Sequence, residues 1–527
     1  MSKSTKSSNR KDSNFLVQGS ILAIASIISR IIGLIYRIPM TEIIGDVGNN
    51  YYACAFDVYN VMLIISSYSL PLAVSKLVSA RMAKGHRKKA YQILKGALIF
   101  ALKVLAPALV VVAVLGVLRG FFQGLGTMMP SAISQIIEQI VNAIVSVWAA
   151  YVLFKVGART GAVLGDKEHY AAAYGAAGGT LGTNLGSVAA LLFVLFVFIV
   201  YLRVFKAQMK RDRSVKVDSF AYTMKILIVT IIPVLLSTTI YNISGIIDQG
   251  IFKNVALLQG YTEHEVDIWW GVFAGKYKLM INVPISIASA MAASSVPSLT
   301  KSFANDDMES VRKQINAAMR FVMVIAFPCA VGLAVLATPI FSILFPGTIS
   351  TVDIASRMMW FGSIAVVFYS MSTLSNGLLQ GINRLQVPVV NAAIALVAHV
   401  VLLVVLMLFF RLNIYAVIIA NTFFSLLMCY LNARALRKYS GYKQEIVKTF
   451  IIPVICSLIM GVCGFVVYYG LYKLTKIIYL AFAVALIVSV IIYFVTLLLF
   501  KGLTEEEIIR FPKGTLLVSI AKKMHLL

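Results

Sequence analysis

Long apolar runs alternate with short polar stretches over almost the whole chain. A bilayer core about 30 Å thick needs about 20 apolar residues per crossing helix, and runs of this length recur from Phe15 to Phe500. The runs are continuously apolar, whereas the strands of a membrane barrel alternate and are about half as long. The pattern therefore predicts an all-α polytopic membrane protein with about thirteen spans. The predicted spans are 15–40, 53–80, 93–118, 131–154, 170–202, 220–247, 269–297, 317–344, 352–375, 387–410, 414–434, 447–472 and 477–500.

Composition and charge agree with a place in lipid. Of the 527 residues, 60% are hydrophobic and 13% charged, and the mean hydropathy is +0.88, which leaves too little polar surface for an ordinary water-soluble protein. The net charge of +26 would suggest nucleic-acid binding in a soluble protein, but most basic residues here lie in short loops, as the positive-inside rule requires. We therefore predict no nucleic-acid partner, a multi-pass cell-membrane location and a cytoplasmic N-terminus. The first run contains two arginines and is too long for a cleavable signal peptide.

The two halves of the chain carry related motifs. Gly120-Phe-Phe-Gln-Gly124, followed by Pro130, is repeated as Gly377-Leu-Leu-Gln-Gly381, followed by Pro388. Such a repeat predicts two pseudo-symmetric lobes, arranged as parallel repeats with a substrate site between them. The predicted divisions are a cytoplasmic basic tail (1–14), an N-terminal lobe (15–216), a C-terminal lobe (217–440), two trailing transmembrane helices (441–501) and a cytoplasmic tail (502–527).

The first half is shorter than the second between equivalent motifs. Gly120 lies 32 residues after Lys88, whereas Gly377 lies 64 residues after Lys313. In addition, Lys103 falls inside span 93–118, where a charge at bilayer depth costs at least a few kcal/mol unless it is paired. We infer that the first half lacks one span, through a natural deletion or an error in the sequence. The alternative is that 93–118 re-enters the membrane instead of crossing it.

Basic residues inside the predicted spans are the main candidates for function, because ionisable groups at membrane depth face the interior of the helix bundle. Arg30 and Arg37 are seven residues apart and share one helical face, and their planar guanidinium groups suit paired phosphate oxygens. Lys276 and Lys278 lie in span 269–297, with Lys278 the deeper of the two. The alternative is that these side chains reach an interface or tie helices together.

Three acidic residues are candidates for ion coupling or for pairing with a cavity cation. They are Glu138 in the middle of a helix, Asp248 at a helix end and Asp57 near the start of its span. The alternative is a structural ion pair for Glu138 and a solvated position at the cavity mouth for Asp248 and Asp57. The five histidines are scattered, the five cysteines show no metal-binding spacing, and no hydrolase or nucleotide-binding motif occurs. We therefore predict no enzymatic activity, no metal site and no cofactor.

Several motifs, taken in order, resemble those of one transporter family. They are Ser29-Arg30-Ile-Ile-Gly33 with Arg37, the stretch 70–79, Arg119 with the Gly-Phe-Phe-Gln-Gly motif, the glycine-rich stretch 175–182, and Lys278-Leu-Met with Pro284 and 296–299. The chain resembles the polysaccharide-transporter branch of the multidrug/oligosaccharidyl-lipid/polysaccharide exporter superfamily. It is most similar to the Bacillota lipid II flippases and the stage V sporulation protein B relatives, and the resemblance covers nearly the whole chain.

The resemblance implies two helical lobes around a cationic cavity, two trailing helices forming a groove for a polyprenyl tail, and one span more than the sequence shows. It implies that Arg30 matches an essential arginine of the first helix and that Lys278 matches a cavity arginine of the eighth. Arg37 is one residue out of register with a second essential arginine. An arginine expected in the second span has no counterpart in 64–70.

These observations predict a flippase that moves an undecaprenyl-diphosphate-linked cell-wall precursor, lipid II or a lipid-linked oligosaccharide, across the membrane by alternating access. The predicted partners are this anionic lipid-linked glycan, the bilayer and the cell-wall synthesis machinery. One alternative is a multidrug/cation antiporter of the same superfamily, although buried basic residues outnumber buried acids. The other is a non-transporting scaffold in cell-wall or sporulation assembly.

Overall fold

The structure is a computed structural model of the chain. It describes residues 28–33, 35–57, 107–125, 127–210 and 219–502, together with Ala25 and single positions between 74 and 95. The described residues are almost entirely helical and contain no β-strand. The prediction of an all-α membrane protein is therefore confirmed.

Helices follow one another with short connections. In the first half they are α1 (Pro107–Gly124), α2 (Met129–Leu164), α3 (Lys167–Lys210) and α4 (Phe220–Leu258). The next are α5 (Glu263–Val272), a π-helical turn (Phe273–Tyr277), α6 (Lys278–Ala304), α7 (Met308–Val335), α8 (Ala337–Leu344) and a 3-10 turn (Pro346–Thr351). The last are α9 (Val352–Gly362), α10 (Ala365–Gly381), α11 (Gln386–Leu408), α12 (Ile414–Ser440), a second π-helical turn (Val447–Ile451), α13 (Ile452–Thr475) and α14 (Ile478–Leu499).

Seven helical segments in the described ranges are long and apolar enough to cross a bilayer, and the α9–α10 pair would be an eighth if it forms one bent span. The predicted total of about thirteen stays a prediction, because most of 58–106 lies outside the described residues. The proposed missing span, Lys103 and both terminal tails fall outside them as well.

Helices α2 and α3 are longer than the spans predicted from hydropathy. They contain 36 and 44 residues and pack closely along their length. A Cβ on Gly178 would lie 2.5 Å from the backbone of Ala149, and one on Gly182 would lie 2.4 Å from the nitrogen of Ser146. The glycine-rich stretch is thus a helix-packing face, since only glycine permits this approach.

The aromatic pair of the first Gly-Phe-Phe-Gln-Gly motif lies at the centre of a hydrophobic cluster in the first half. Phe121 is fully buried and meets Phe198 and Phe205 of α3 edge to face, with centroids 5.9 and 5.5 Å apart. Leu227, near the start of α4, belongs to the same cluster. The motif therefore fixes the end of α1 against two later helices.

The chain divides into two compact units, Met1–Gly250 and Ile251–Leu527. This boundary lies inside α4, whereas the lobe boundary predicted from sequence is 216/217. The difference has a local cause, because the part of α4 before Gly250 packs on residues 54–57 and the part after it packs on α5. In the first unit the Gln249 amide bonds the Cys54 sulfur, and in the second Lys253 pairs with Asp267.

Two predicted continuous spans are interrupted in the second unit. Span 317–344 is divided between α7 and α8, which meet at Leu336. Span 352–375 is divided between α9 and α10, and the segment that includes α9 bends by 54° relative to α10. At that bend a Cβ on Gly362 would lie 2.2 Å from the Tyr277 hydroxyl, whose own hydrogen bond goes to the Gly362 carbonyl. A tertiary contact thus accompanies the break, and hydropathy carries no information about it.

The two trailing helices, α13 and α14, pack against each other and on α7. Val324 of α7, Cys456 and Met460 of α13, and Tyr493 of α14 share one buried cluster. The Tyr493 hydroxyl donates to the backbone carbonyl of Val324 at 2.6 Å. The trailing pair is therefore fastened to the second unit by a specific polar contact as well as by apolar packing.

Candidate functional site

Arg37 lies on an aromatic surface made by the segment that follows it. Its guanidinium carbon is 4.5 Å from the ring centroid of Tyr52 and 5.5 Å from that of Phe56. Residues 15 apart on one straight helix are about 22 Å apart, so the helical segment must bend between Arg37 and Tyr52. Gly45 makes this possible with a φ of +68°, a conformation that glycine adopts at little cost.

Hydrogen bonds stabilise the bend of the helical segment at Gly45. The Asn49 amide nitrogen donates to the Gly45 carbonyl at 2.7 Å and to the Thr41 carbonyl at 3.3 Å, and its amide oxygen accepts from the Thr41 hydroxyl at 3.2 Å. Tyr36 accepts a hydrogen bond from Asn142 of α2 at 3.1 Å. Arg37 is half-buried in this arrangement, whereas Arg30, two turns earlier, is exposed.

Asp57 and Asp248 lie in the same region of the first unit. Asp57 is half-buried and within electrostatic range of Arg37. A Cβ on Gly245 of α4 would lie 3.5 Å from an Asp57 carboxylate oxygen, so α4 passes directly over this residue. Asp248, one turn further along α4, is 1% exposed. A fully solvated position at a cavity mouth does not describe Asp248, because its side chain is enclosed by protein.

Glu138 forms an ion pair inside the first unit. Its carboxylate lies 2.9 Å from the Arg119 guanidinium and accepts a second hydrogen bond from Ser187 of α3 at 3.0 Å. Arg119 also donates to Ser134 at 2.8 Å. The cluster joins α1, α2 and α3, so the geometry is that of a structural pair, while a coupling role for Glu138 stays a prediction.

The second unit has a neutral counterpart of this cluster, next to the repeated motif. Asn376 precedes Gly377 as Arg119 precedes Gly120. The Asn432 amide donates to Asn376 at 2.7 Å and to Ser375 at 2.9 Å, and Asn391 donates to Asn432 at 2.9 Å. Carboxamides therefore join α10, α11 and α12, whereas an ion pair joins α1, α2 and α3.

Lys276 and Lys278 flank the end of the π-helical turn and have different environments. Lys276 is fully buried, donates to the Thr351 hydroxyl at 2.5 Å and lies 5.7 Å from the ring centroid of Phe345. Lys278 is half-buried, and its ammonium lies 5.1 Å from the ring centroid of Phe273. The structure thus places Lys276 within the wall of the second unit and gives only Lys278 access to the protein surface.

Sequence reasoning missed two buried charged features in the second unit. Arg320 of α7 is 6% exposed although it lies near the start of an apolar run. Lys253 and Asp267 pair at 3.0 Å across the α4–α5 connection. Arg320 could have been identified from the sequence as a charged residue near the start of predicted span 317–344. The Lys253–Asp267 pair gave no local signal because it joins two helices.

Comparison with known proteins supports one family. A family model described as lipid II flippase MurJ matches residues 99–470, and one described as polysaccharide biosynthesis protein matches residues 16–106. The lipid II flippase MurJ of Bacillus subtilis (strain 168) is 24% identical over 504 residues, covering 85% of this chain and 88% of the relative. Stage V sporulation protein B of the same organism is 24% identical over 532 residues, covering 94% and 98%.

Solved structures show the same fold. A lipid II flippase MurJ in an inward closed conformation superposes with a TM-score of 0.62 at 15% identity, covering 91% of this chain and 98% of the other. An inward-facing multidrug resistance transporter of the MATE family and MOP superfamily superposes with a TM-score of 0.58 at 14% identity, covering 80% and 99%. The chain thus has the fold that these two solved structures share. Because the lipid II flippase model alone matches well over half of its residues, the chain belongs to the lipid II flippase MurJ family.

Proposed function

We propose that this protein moves an undecaprenyl-diphosphate-linked cell-wall precursor, lipid II or a similar lipid-linked oligosaccharide, across the cell membrane. The observation that carries the proposal is a half-buried basic side chain held on an aromatic ring in each unit. Arg37 lies on Tyr52 in the first unit, and Lys278 lies on Phe273 in the second. Cations held in apolar segments suit a phosphorylated head group, since an unpaired anion is costly in a low-dielectric environment.

The mechanism we propose is alternating access. Arg30 and Lys278, with Arg37 as a third contact, neutralise the diphosphate while the polyprenyl tail remains in lipid. Movement of the two units then exposes the head group on the other side. With the N-terminus in the cytoplasm, an inside-negative potential favours outward movement of an anion, by about 2.3 kcal/mol per charge per 100 mV.

The other candidates receive different roles. Lys276 is assigned to the wall of the second unit because its ammonium is enclosed and bonded to Thr351. Glu138 is assigned to the ion pair with Arg119. Asp57 and Asp248 remain candidates for ion coupling or for pairing with Arg37. The bilayer and the lipid-linked glycan are the partners this mechanism requires, and association with cell-wall synthesis enzymes is a further part of the proposal.

Complementation of a flippase-depleted bacterium tests the function. We expect the chain to restore growth, and Arg30→Ala, Arg37→Ala or Lys278→Ala to abolish rescue at unchanged protein level. Lys155→Ala is the matched control, because this lysine also lies on an aromatic ring, that of Tyr151, but is exposed on the surface of α2. If all of these alanine variants still restore growth, the proposal is contradicted and a scaffold is favoured. Reduced accumulation of cationic dyes without rescue would favour a multidrug antiporter.

A further inference from the structure

The π-helical turn Phe273–Tyr277 changes which residues share a face of the α5–α6 helix. In a regular α-helix, residues five apart point in directions about 140° apart. In a π-helical turn the backbone bonds connect residues five apart, and here the Lys278 N–H donates to the Phe273 carbonyl. The wider turn therefore brings Phe273 and Lys278 to the same side, and the Lys278 ammonium lies over the Phe273 ring.

Phe273 itself is fixed by a column of buried aromatic rings. The centroid distances are 5.7 Å from Phe252 to Trp270, 5.2 Å from Trp270 to Phe273 and 5.5 Å from Phe273 to Tyr277. Each of these four side chains is at most 3% exposed. A ring that contacts two other buried rings in this way has little freedom to move, so it offers the ammonium a fixed surface.

Two hydrogen bonds anchor the turn to the α9 region. Lys276 donates to Thr351 in the turn before α9, and Tyr277 donates to the Gly362 carbonyl at the end of α9 at 3.0 Å. Residues two apart on a helix point in nearly opposite directions, so the side chain of Lys276 is enclosed whereas that of Lys278 is half-exposed. The turn thus gives two neighbouring lysines different roles: Lys276 anchors the turn, and Lys278 places its ammonium group at the surface of the unit.

The geometry points to Phe273 as a positioning residue for Lys278, which it holds by a cation–π contact in the orientation that meets the diphosphate of the substrate. The inference rests on the proposed function, because it assumes that Lys278 binds the diphosphate. Phe273 does not touch substrate and acts only through Lys278.

The physical reason lies in the freedom of a lysine side chain. A free lysine loses considerable rotamer entropy when it binds, and restraint before binding lowers that cost. The face of an aromatic ring attracts an ammonium group, more strongly where water is excluded. An ammonium carries three donors, so contact with one ring leaves donors for phosphate oxygens.

Binding of a short polyprenyl diphosphate, geranylgeranyl diphosphate, to the full-length protein in detergent tests the inference, with geranylgeraniol as the probe that lacks the diphosphate. We expect Phe273→Leu to weaken diphosphate binding about 3- to 10-fold and Phe273→Tyr, which keeps the ring, to change it less than about twofold. In a Lys278→Ala background, Phe273→Leu should have no further effect. Phe273→Met replaces the leucine variant if the latter does not fold.

Three outcomes would overturn the inference. The first is that Phe273→Leu binds the diphosphate as tightly as the wild type, and the second is that Phe273→Tyr weakens binding as much as Phe273→Leu does. The third is that Phe273→Leu weakens binding equally with and without Lys278, which would indicate a general effect on the fold. If Lys278→Ala itself binds like the wild type, the assigned role of Lys278 in the proposed function fails as well. If Lys278→Ala weakens diphosphate binding but Phe273→Leu does not, only the positioning role of Phe273 is excluded.

Discussion

Tyr493 on the last helix and Pro328 on α7 form a pair whose substitutions are expected to compensate each other. Proline has no N–H, so the carbonyl four residues before it, that of Val324, lacks its helical hydrogen bond. The Tyr493 hydroxyl supplies the missing donor at 2.6 Å. Tyr493→Phe therefore leaves a buried carbonyl without a donor while it keeps the packing of the ring.

The size of the effect follows from the environment of the bond. A buried polar group left unsatisfied costs about 1–3 kcal/mol, while hydrogen bonds between membrane helices average about 0.6 and reach about 1.7 kcal/mol. Tyr493 is 5% exposed and lies in an apolar cluster, so no water is at hand to replace the hydroxyl. We expect Tyr493→Phe to lower the free energy of unfolding by about 1–2 kcal/mol.

A double-mutant cycle isolates this contribution. The free energy of unfolding is measured in mixed micelles for the wild type, Tyr493→Phe, Pro328→Ala and the double variant. Alanine at 328 restores an N–H that can bond the Val324 carbonyl, so Tyr493→Phe should cost less in that background. An equal cost in both backgrounds, or no cost in the wild type, would show that the Tyr493 hydroxyl does not replace the N–H that Pro328 lacks.

Three further predictions concern packing and charge. Arg119→Gln and Glu138→Gln should each lower the free energy of unfolding by about 1–3 kcal/mol, because each removes one partner of the ion pair. The double variant should lose less than the sum, because its two carboxamides can bond each other as carboxamides do in the second unit, and additive losses would contradict this. Gly182→Ala should destabilise the protein by about 1–3 kcal/mol, since the added Cβ meets the backbone of α2, whereas the matched change Gly250→Ala meets no atom within 4 Å and should be tolerated in the same thermal unfolding assay. Lys276→Met should lower the melting temperature but leave diphosphate affinity of the folded protein unchanged; loss of affinity at unchanged stability would return Lys276 to the substrate site.

Hydropathy predicted the helical class and the approximate positions of the spans, because a continuous apolar run has no other stable structure in lipid. It did not predict where helices end. Helix α2 continues to Leu164, where Gly165 adopts a left-handed conformation, well beyond the predicted limit of 154. Backbone hydrogen bonds and capping determine that limit, and neither depends on hydropathy.

The candidate site could be predicted only in part. Isolated charges in apolar runs identified Arg37, Glu138, Lys276 and Lys278, because such charges need a partner or a function. The residues that they contact could not be predicted, since Thr351 lies 75 residues from Lys276 in the sequence and meets it only in the folded chain. The π-helical turn that distinguishes the two lysines gives no sequence signal either.

Transport of a fluorescent undecaprenyl-diphosphate-linked disaccharide in proteoliposomes measures the proposed activity itself. We expect the wild type and Lys155→Ala to move the substrate across the bilayer at equal rates. We expect Arg30→Ala and Lys278→Ala, folded and reconstituted to the same extent, each to lower the rate at least about 10-fold because a charged hydrogen bond is lost. Undiminished transport by both of these variants, or no transport by the wild type, would contradict the proposal.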